Sequence, residues 1–388
     1  MKRVLKFILA LITLLLIAAA IYLFGIVVPQ QDAKMNPVVA HEPYPVSDAA
    51  KELHADLIIA DLHSDSLLWR RNPEKRWDRG HVDLPRLREG GVNIQVFSTV
   101  TKSPRGLNFD GNDAIAPDDI ALLAKAQLWP MRTWNSIYER AAFQAQRLQK
   151  IEKRGKNKLI IARTKSDLNQ PEGTLIALLL TEGAHPLEGK IENISRLYDE
   201  GYRAMGLQHF FDNELGGSMH GRSQAGLTDF GRQAVLEMER RHIMIDVAHS
   251  SRQTVRDVLA TVKAPLFISH GGTISGCPKT ANRNLPDDIL KDIAARGGIL
   301  GIGYFGGAIC DISPKGIAKE IIHAVNLLGE DAVALGSDYD GTVTTSLDTS
   351  ELAAITHELL AQGMTEPQIR KVMGENAQRF FAQNLPTK

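Results

Sequence analysis

Short apolar runs alternate with amphipathic stretches along most of the chain. The runs are rich in Ile, Val and Leu and lack period-two alternation, which is typical of strands buried on both faces of a parallel sheet. The predicted strands cover residues 57–61, 92–98, 175–180, 203–207, 243–247, 266–268, 299–302 and 332–335. The predicted helices cover residues 114–153, 190–200, 229–241, 252–262, 287–296, 315–328, 350–362 and 366–383, with Thr228 and Asp287 as helix caps.

Eight strands that alternate with helices over roughly 300 residues predict an α/β fold, a single (β/α)8 TIM barrel. A doubly wound open sheet is the alternative, but no Gly-rich phosphate loop follows the first strand. The last two predicted helices would close the barrel. The barrel domain is therefore expected to cover residues 48–388.

The first thirty residues differ from the rest. Basic residues within positions 2–6 precede an uncharged, almost wholly apolar run over residues 7–28, which is long enough to cross a bilayer as a helix. A cleaved signal peptide is the alternative, since residues 18–20 are all alanine. Because the apolar run continues to Val28, we favour an uncleaved membrane anchor over residues 1–28. The positive-inside rule then predicts a single-pass protein with its large domain on the extracytoplasmic side, joined through a linker at residues 29–47.

Composition and charge exclude some functions. Lys+Arg and Asp+Glu both number 45, and this zero net charge argues against a nucleic-acid partner. Two cysteines, Cys277 and Cys310, are too few for a Cys-rich zinc site. We expect them to be buried and free, with pairing in an oxidising compartment as the alternative. The oligomeric state is left open, with a homodimer as one candidate.

Side chains of the kinds that bind metals follow most of the predicted strands. In chain order they are His63 and Asp65, Glu182, His209, His249, His270 and Asp338. Each alone has an ordinary structural explanation, such as a hydrogen-bonded histidine or a helix-capping carboxylate. Six strands of eight end in such residues, however, and barrel active sites are built at those ends. Nitrogen and oxygen donors suit zinc, with manganese and iron as alternatives, and Asp61 is expected to be structural or to orient a ligand.

Six motifs, in this order and spacing, resemble those of the membrane dipeptidase (renal dipeptidase) family, which comprises zinc peptidases with an amidohydrolase-like TIM barrel. They are Asp61-Leu62-His63-Ser64-Asp65, Thr181-Glu182-Gly183, Ile245-Asp246-Val247-Ala248-His249, Ile268-Ser269-His270, Asn282-Arg283-Asn284 and Gly336-Ser337-Asp338-Tyr339-Asp340-Gly341. The resemblance extends from about residue 56 to residues 374–376, which is nearly all of the chain beyond the apolar start.

The resemblance implies that dipeptides are hydrolysed by a hydroxide that bridges two zinc ions. It implies five metal ligands: His63 and Asp65 on one zinc, His249 and His270 on the other, and Glu182 on both.

The resemblance also implies roles toward the substrate. Asp338 would transfer the proton, and His209 would contact the substrate and stabilise the tetrahedral intermediate. Arg283 would hold the substrate's C-terminal carboxylate.

Two features depart from the family pattern. Mammalian members carry a C-terminal glycolipid anchor, whereas this chain has an N-terminal apolar run. The Gly-rich loop at residues 211–221 matches the family only loosely, which leaves the substrate specificity open.

Two other functions remain: a related amidohydrolase acting on N-acyl amino acids or lactams, and a catalytically silent, anchored binding protein. The complete ligand set argues against the second.

Overall fold

Eight parallel strands form a closed barrel in the structure, a computed structural model that describes residues 2–387. Together with the short β3, which is not part of the ring, the strands number nine: β1 (Ile59–Ser64), β2 (Val92–Val100), β3 (Leu159–Ile161), β4 (Leu175–Glu182), β5 (Tyr202–Gly206), β6 (Met244–Asp246), β7 (Phe267–Gly271), β8 (Ile299–Ile302) and β9 (Val333–Leu335). The pairing runs from β2 through β1, β9, β8, β7, β6 and β5 to β4, and β2 also pairs with β4, which closes the ring. β3 pairs only with the start of β4.

The predicted TIM barrel is confirmed, and each predicted strand occurs close to its expected position. The sequence analysis missed β3, because its three residues lie between charged residues and give no extended apolar run. The alternation of side chains along β4 explains how a strand delivers a site residue. Leu178 and Leu180 belong to the inner core cluster, whereas Leu179 packs with the outer one. With period two, Glu182 at the end of β4 points to the same side as Leu180.

The N-terminal apolar run forms a helix that reaches the barrel. α1 (Lys2–Tyr22) continues through a π-helical turn, Leu23–Val27, into α2 (Val28–Met35). This helix is long and apolar enough to cross a membrane, a property that signal sequences share. The first part of the predicted linker, residues 29–35, is helical. Pro29 occupies the first turn of α2, where a proline's missing N–H is tolerated.

The remaining helices surround the barrel. They are α3 (Asp48–Ala55), α4 (Leu84–Glu89), α5 (Asp119–Ala126), α6 (Ile137–Arg154), α7 (Glu192–Asp199), α8 (Asp229–Arg240), α9 (Arg252–Thr261), α10 (Asp287–Ala295), α11 (Pro314–Leu328), α12 (Ala353–Ala361), α13 (Glu366–Arg370) and α14 (Asn376–Asn384). The Thr228 hydroxyl caps α8 by accepting a hydrogen bond from the Gly231 amide, as predicted. Asp287 is the first residue of α10 and makes no cap, which corrects that prediction, because Pro286 holds the N-cap position.

The prediction of one helix over residues 114–153 was wrong. The segment divides into α5, a 3-10 turn at Met131–Trp134, and α6. Pro130 lacks the N–H that a continuous helix would need there. A new helix begins after Ser136, whose hydroxyl accepts a hydrogen bond from the Glu139 amide.

Candidate active site

The residues predicted from the strand ends converge on one cavity at the carboxyl ends of the barrel strands. The cavity has a volume of about 200 Å³. The predicted residues that line it are Asp65, Glu182, His209, His249, His270, Arg283 and Asp338. His63, fully buried, lies 3.6 Å from both Asp65 and Glu182, measured from its Nε2 to their carboxylate oxygens.

Glu182 lies at the centre of this group. Its Oε1 is 3.1 Å from Nε2 of His249. The same oxygen is 3.6 Å from Nε2 of each of the other three histidines, His63, His209 and His270. One carboxylate oxygen therefore faces four imidazole nitrogens, a position from which a carboxylate can bridge two metal ions.

Several ligand-type atoms lack ordinary partners. His63 Nε2, Asp65 Oδ1 and Glu182 Oε2 are buried and have no hydrogen-bond partner among residues 2–387. Nε2 of His249 and Nε2 of His270 lie only 3.0 Å apart, although two neutral imidazoles can share at most one proton there. Divalent cations would satisfy these donor atoms, because imidazole nitrogen and carboxylate oxygen are their usual ligands.

The electrostatics of the cluster also fit bound cations. Burial, together with the charge of Asp65, raises the pKa of Glu182 well above its ordinary value. The pKa of Asp338 is likewise raised well above its ordinary value, mainly by burial. Burial lowers the pKa of His249 and of His270 well below the usual range, which keeps both imidazoles neutral. Neutral imidazoles beside carboxylates that resist ionisation form a site in which added positive charge is stabilising.

Two residues without an assigned role in the sequence analysis orient the histidines. The Ser269 hydroxyl donates a hydrogen bond to Oδ2 of Asp246 at 2.7 Å. Oγ of Ser269 also lies 3.0 Å from Nδ1 of His63 and 2.9 Å from Nδ1 of His270. Both Nδ1–H groups can donate to it, which leaves each Nε2 unprotonated and directed at the cavity. One indication of these roles was present in the sequence, namely their positions: Ser269 immediately precedes His270, and Asp246 is the last residue of β6.

Asp61 is structural, as expected. Its carboxylate accepts hydrogen bonds from the backbone amide and the hydroxyl of Ser337, at 2.8 and 2.6 Å, and from the side-chain amide of Gln95. Ser337 immediately precedes Asp338, so Asp61 connects the first barrel strand to the residue that carries the predicted proton-transfer group.

The loop after β9 is strained and strongly held. Asp338, Asp340 and Thr342 all have positive φ angles, of 62, 65 and 62°, which non-glycine residues adopt only when their surroundings fix them. Asp340 is fixed by the amides of His81 and Val82, which donate to its carboxylate at 2.8 and 3.3 Å.

The segment after the apolar helix reinforces the same loop. Asp32, at the end of that helix, is 3.1 Å from Nε of Arg71, and Nη2 of Arg71 is 2.8 Å from Asp340. Asn36 accepts a hydrogen bond from the Thr342 amide at 3.0 Å. The segment after the apolar helix is thus hydrogen-bonded to the loop that presents Asp338.

Arg283 is a buried cation that faces the cavity. Its guanidinium donates to the backbone carbonyls of Ala248 at 3.0 Å and His270 at 3.4 Å. No carboxylate oxygen lies within 4.0 Å of its guanidinium in the described part of the chain. A buried guanidinium without a carboxylate partner can bind an anionic group of a ligand.

A disulfide joins the two loops beside Arg283 and corrects the expectation of free cysteines. Cys277 follows β7 and Cys310 follows β8, and their Cα atoms are 5.4 Å apart. Their separation of 33 positions hid this proximity in the sequence. It arises because β7 and β8 are neighbours in the barrel.

His209 is neutral, and a second histidine lies nearby. Burial lowers the pKa of His209 to about 4, and its Nδ1 lies 3.3 Å from the Lys102 carbonyl. His220, which the sequence analysis missed, packs between Phe210 and His249, with ring centroids 4.5 and 5.4 Å away. Burial lowers its pKa to about 3. It belongs to the Gly-rich loop, where no strand pattern indicated a role.

The rest of the cavity wall is mainly apolar. It is formed by side chains from the loops after the first strands and after β5, β8 and β9: Leu68, Val100, Leu107, Phe109, Ile120, Phe210, Phe305 and Val343. This wall offers apolar contact to a small ligand.

Solved structures with the same architecture include several peptidases. A dipeptidase described as a metallopeptidase has 24% identity and a TM-score of 0.68, with 86% of this chain and 99% of that chain covered. A metallopeptidase from Rhodobacter sphaeroides, bound to a phosphinate mimic of L-Ala-D-Ala, has 24% identity and a TM-score of 0.68, covering 85% and 99%. The probable dipeptidase PvdM from Pseudomonas aeruginosa has 18% identity and a TM-score of 0.71, covering 87% and 98%. At these identities, the likeness establishes the fold.

The family follows from the sequence itself. The profile of the membrane dipeptidases, peptidase family M19, matches residues 47–386, which includes every strand of the barrel and every residue of the cluster described above. The chain therefore belongs to the membrane dipeptidase family, a family of metallopeptidases.

Proposed function

We propose that this protein is a zinc-dependent dipeptidase that hydrolyses the peptide bond of small dipeptides. The observation that carries the proposal is the pairing of two features in one cavity. Glu182 sits among four imidazoles, and Arg283 lines the same wall without a carboxylate partner. The first feature suits a metal pair, and the second suits the free C-terminus of a short substrate. The cavity of about 200 Å³ suits a ligand of two residues.

We assign the metal-binding role to the five predicted ligands. His63 and Asp65 would hold one zinc ion, His249 and His270 the other, with Glu182 between them. The metal pair, when bound, supplies Lewis-acid activation of water and of the scissile carbonyl.

Asp338 is the proposed proton carrier. Its Oδ1 lies 3.8 Å from Nε2 of His63, so the group stands beside the metal ligands. The raised pKa of this buried carboxyl favours uptake of the proton that the attacking water loses, and Asp338 would then pass that proton to the leaving amine.

His209 is proposed to stabilise negative charge on the substrate. In the free protein its Nδ1–H donates to the Lys102 carbonyl, so Nε2 carries a lone pair. Donation from Nε2 to a developing oxyanion therefore requires that His209 take up a proton from solvent as the charge forms, which the Lys102 carbonyl supports by accepting from the other nitrogen.

Arg283 is proposed to bind the C-terminal carboxylate of the substrate. Two of its five N–H groups are used by backbone carbonyls, and the others remain for a carboxylate. Apolar residues of the wall would contact the two substrate side chains.

We further propose that the protein is a single-pass membrane protein with an uncleaved N-terminal helix and an extracytoplasmic barrel. The length of the apolar helix supports an anchor, and the Cys277–Cys310 disulfide supports an oxidising compartment.

A substrate panel combined with metal analysis tests the proposal. Purified protein should contain about two zinc ions per chain and lose activity to chelators, and Glu182→Gln should abolish turnover while the fold is retained. Arg283→Ala should lower kcat/KM on free dipeptides roughly ten- to a hundred-fold, and Arg283→Lys should rescue only in part. Dipeptides with an amidated C-terminus should be poor substrates of the native protein, and their kcat/KM should be nearly unaffected by substitution of Arg283.

Arg252→Ala is the matched control. Arg252 is an exposed arginine that donates to the Ala281 carbonyl of the loop that carries Arg283, so its loss tests loop stability alone. Equal losses on free and amidated substrates, or equal losses in the two arginine variants, would contradict carboxylate recognition. Preference for N-acyl amino acids or lactams over dipeptides would instead favour the related amidohydrolase. A chain without metal and without activity on either class would favour a binding protein.

A further inference from the structure

Exposed large apolar side chains are concentrated in one part of the barrel domain. Among the described residues beyond position 39, six such side chains are exposed, and five of them lie between residues 107 and 131. They are Leu107, Ile115, Leu122, Leu128 and Met131; the sixth is Leu236, on α8. Such a concentration on a water-soluble surface indicates an interaction site.

Residues 120–135, which we call the apolar segment, have the composition of a membrane-surface element. The segment contains no acidic residue, and its charged residues are Lys125 and Arg132. Trp129 is buried and Trp134 is half-buried. Apolar, Trp-containing stretches with basic residues bind at the boundary between lipid headgroups and acyl chains.

The backbone of the apolar segment presents one leucine at a conformational cost. Leu128 has a φ of 57°, which leucine seldom adopts, and its side chain is 52% exposed. Its neighbours Gln127 and Trp129 are buried, and the side-chain amide of Gln127 donates to the Leu68 carbonyl. The segment is therefore fixed to the barrel on one side while Leu128 projects from the other. Strain of this kind persists where the surroundings enforce it and is frequent at functional surfaces.

The apolar helix lies directly beside this segment. Phe24 and Val28, from the last two turns of the apolar run, line a cavity of about 250 Å³ together with Gln127 of the apolar segment. Arg70 and Trp77 of the barrel line the same cavity. Because Phe24 and Val28 belong to the stretch that would cross the bilayer, the barrel surface next to them must stand at the level of the membrane–water interface.

The joint between helix and barrel is fixed rather than loose. Asp32, one helical turn beyond Val28, is buried and lies 3.1 Å from Nε of Arg71 and of Arg79. These ion pairs hold the helix end against the same face of the barrel that carries the catalytic cavity.

From this arrangement we infer that the apolar segment rests in the outer leaflet of the membrane that the helix crosses, with Leu122, Leu128 and Met131 among the lipid chains and Lys125 and Arg132 at the headgroups. The inference rests on the proposed membrane location of the protein. It also places the mouth of the catalytic cavity at the membrane surface, because Ile120, the first residue of the segment, lines that cavity. Dipeptides released at the bilayer surface would then reach the site directly.

The test uses the full chain in lipid nanodiscs and lipids that carry a fluorescence quencher in the acyl chain. Both native cysteines are bridged, so an introduced cysteine takes the fluorophore selectively. Labels are placed singly by Leu128→Cys and Met131→Cys, by Leu236→Cys as the matched exposed control, and by Leu15→Cys within the apolar helix. Each variant must retain the melting temperature of the unlabelled protein, and two sites in the segment guard against failure of one.

We expect strong quenching at position 15, and quenching at positions 128 and 131 at least twice that at position 236. Quenching at position 15, with positions 128, 131 and 236 alike, would refute the membrane contact and leave the anchor intact. Absence of quenching at position 15 would refute the anchor, and with it the basis of the contact. Dipeptidase activity of the same samples reports separately on the proposed function.

Discussion

Asp32 offers the most direct test of the coupling between the end of the apolar helix and the loop that carries Asp338. The side chain of Asp32 is 6% exposed, and its carboxylate lies 3.1 Å from Nε of both Arg71 and Arg79. Arg71 in turn contacts Asp340, two residues from Asp338 in the strained loop. Replacing Asp32 with alanine removes the carboxylate and leaves two guanidinium groups without it.

The size of the effect follows from what each arginine keeps. Arg71 retains Asp340 at 2.8 Å, and the Arg79 side chain, 17% exposed, can reach water. Burial raises the pKa of Asp32, which shows that the ion pairs do not fully offset its lost hydration. We therefore expect a loss of about 2–4 kcal/mol in the free energy of unfolding, which is less than the loss of a fully buried pair, and a melting temperature lower by roughly 4–8 °C.

Activity should fall as well, because Asp338 loses part of the support for its backbone. Displacements of about 1 Å in a catalytic group can cost up to a hundred-fold, so we expect kcat/KM to drop roughly ten-fold with little change in metal content. The assay is dipeptide hydrolysis and thermal unfolding of the full chain in detergent. The control is Asp78→Ala: Asp78 also pairs with Arg79, at 3.1 Å, but its side chain is 88% exposed, so the change should cost under about 0.5 kcal/mol. If the Asp32 variant matched the Asp78 variant in both stability and rate, the helix end would not support the loop that carries Asp338, and the coupling would be refuted.

Two further predictions concern the support of the site. Ser269→Ala should lower metal affinity roughly ten- to a hundred-fold, because His63 and His270 lose the acceptor that orients them. Ser269→Thr should retain most of the metal affinity. Unchanged affinity of the alanine variant in a chelator competition would contradict this prediction. Replacing both Cys277 and Cys310 with serine should lower the free energy of unfolding by about 3–4 kcal/mol in denaturant titrations, from the 33-residue separation that the bridge closes. Reducing agent should destabilise the native chain and leave the double variant unaffected, and equal midpoints for the two chains under oxidising conditions would count against the bridge as a stabilising element.

The barrel was predictable because continuous apolar runs carry a strong signal when both faces of a strand are buried. The run over β4, for example, needed no tertiary information. β3 lacked this signal, since Leu159–Ile161 is only three residues long. The prediction of one helix over residues 114–153 failed for a different reason. The apolar residues of this segment belong to two separate helices, and the spacing of apolar residues alone does not show where one helix ends and the next begins. Pro130 was the available clue.

The site was predictable to the extent that its residues follow strands directly. His249 and His270 end or follow buried strands, so the fold places them at one end of the barrel. Contacts between residues from different loops or elements could not be predicted from the sequence. The Cys277–Cys310 bridge depends on which strands are neighbours, and the contacts of Asp32 depend on where the helix end docks. Side-chain distances of this kind are set by packing, for which a single sequence gives no spacing rule.

The shared hydroxyl of Ser269 has a consequence for how the site fills. One oxygen orients both His63 and His270, which we assign to different zinc ions. Binding of the first ion would fix His63, and through Ser269 it would also restrict the rotation of His270 before the second ion arrives. The entropy lost on ordering the second histidine would then be smaller, and by reciprocity either order of filling gives the same gain. Zinc uptake should accordingly be cooperative, so that at limiting zinc the population divides into empty and fully loaded molecules rather than half-loaded ones.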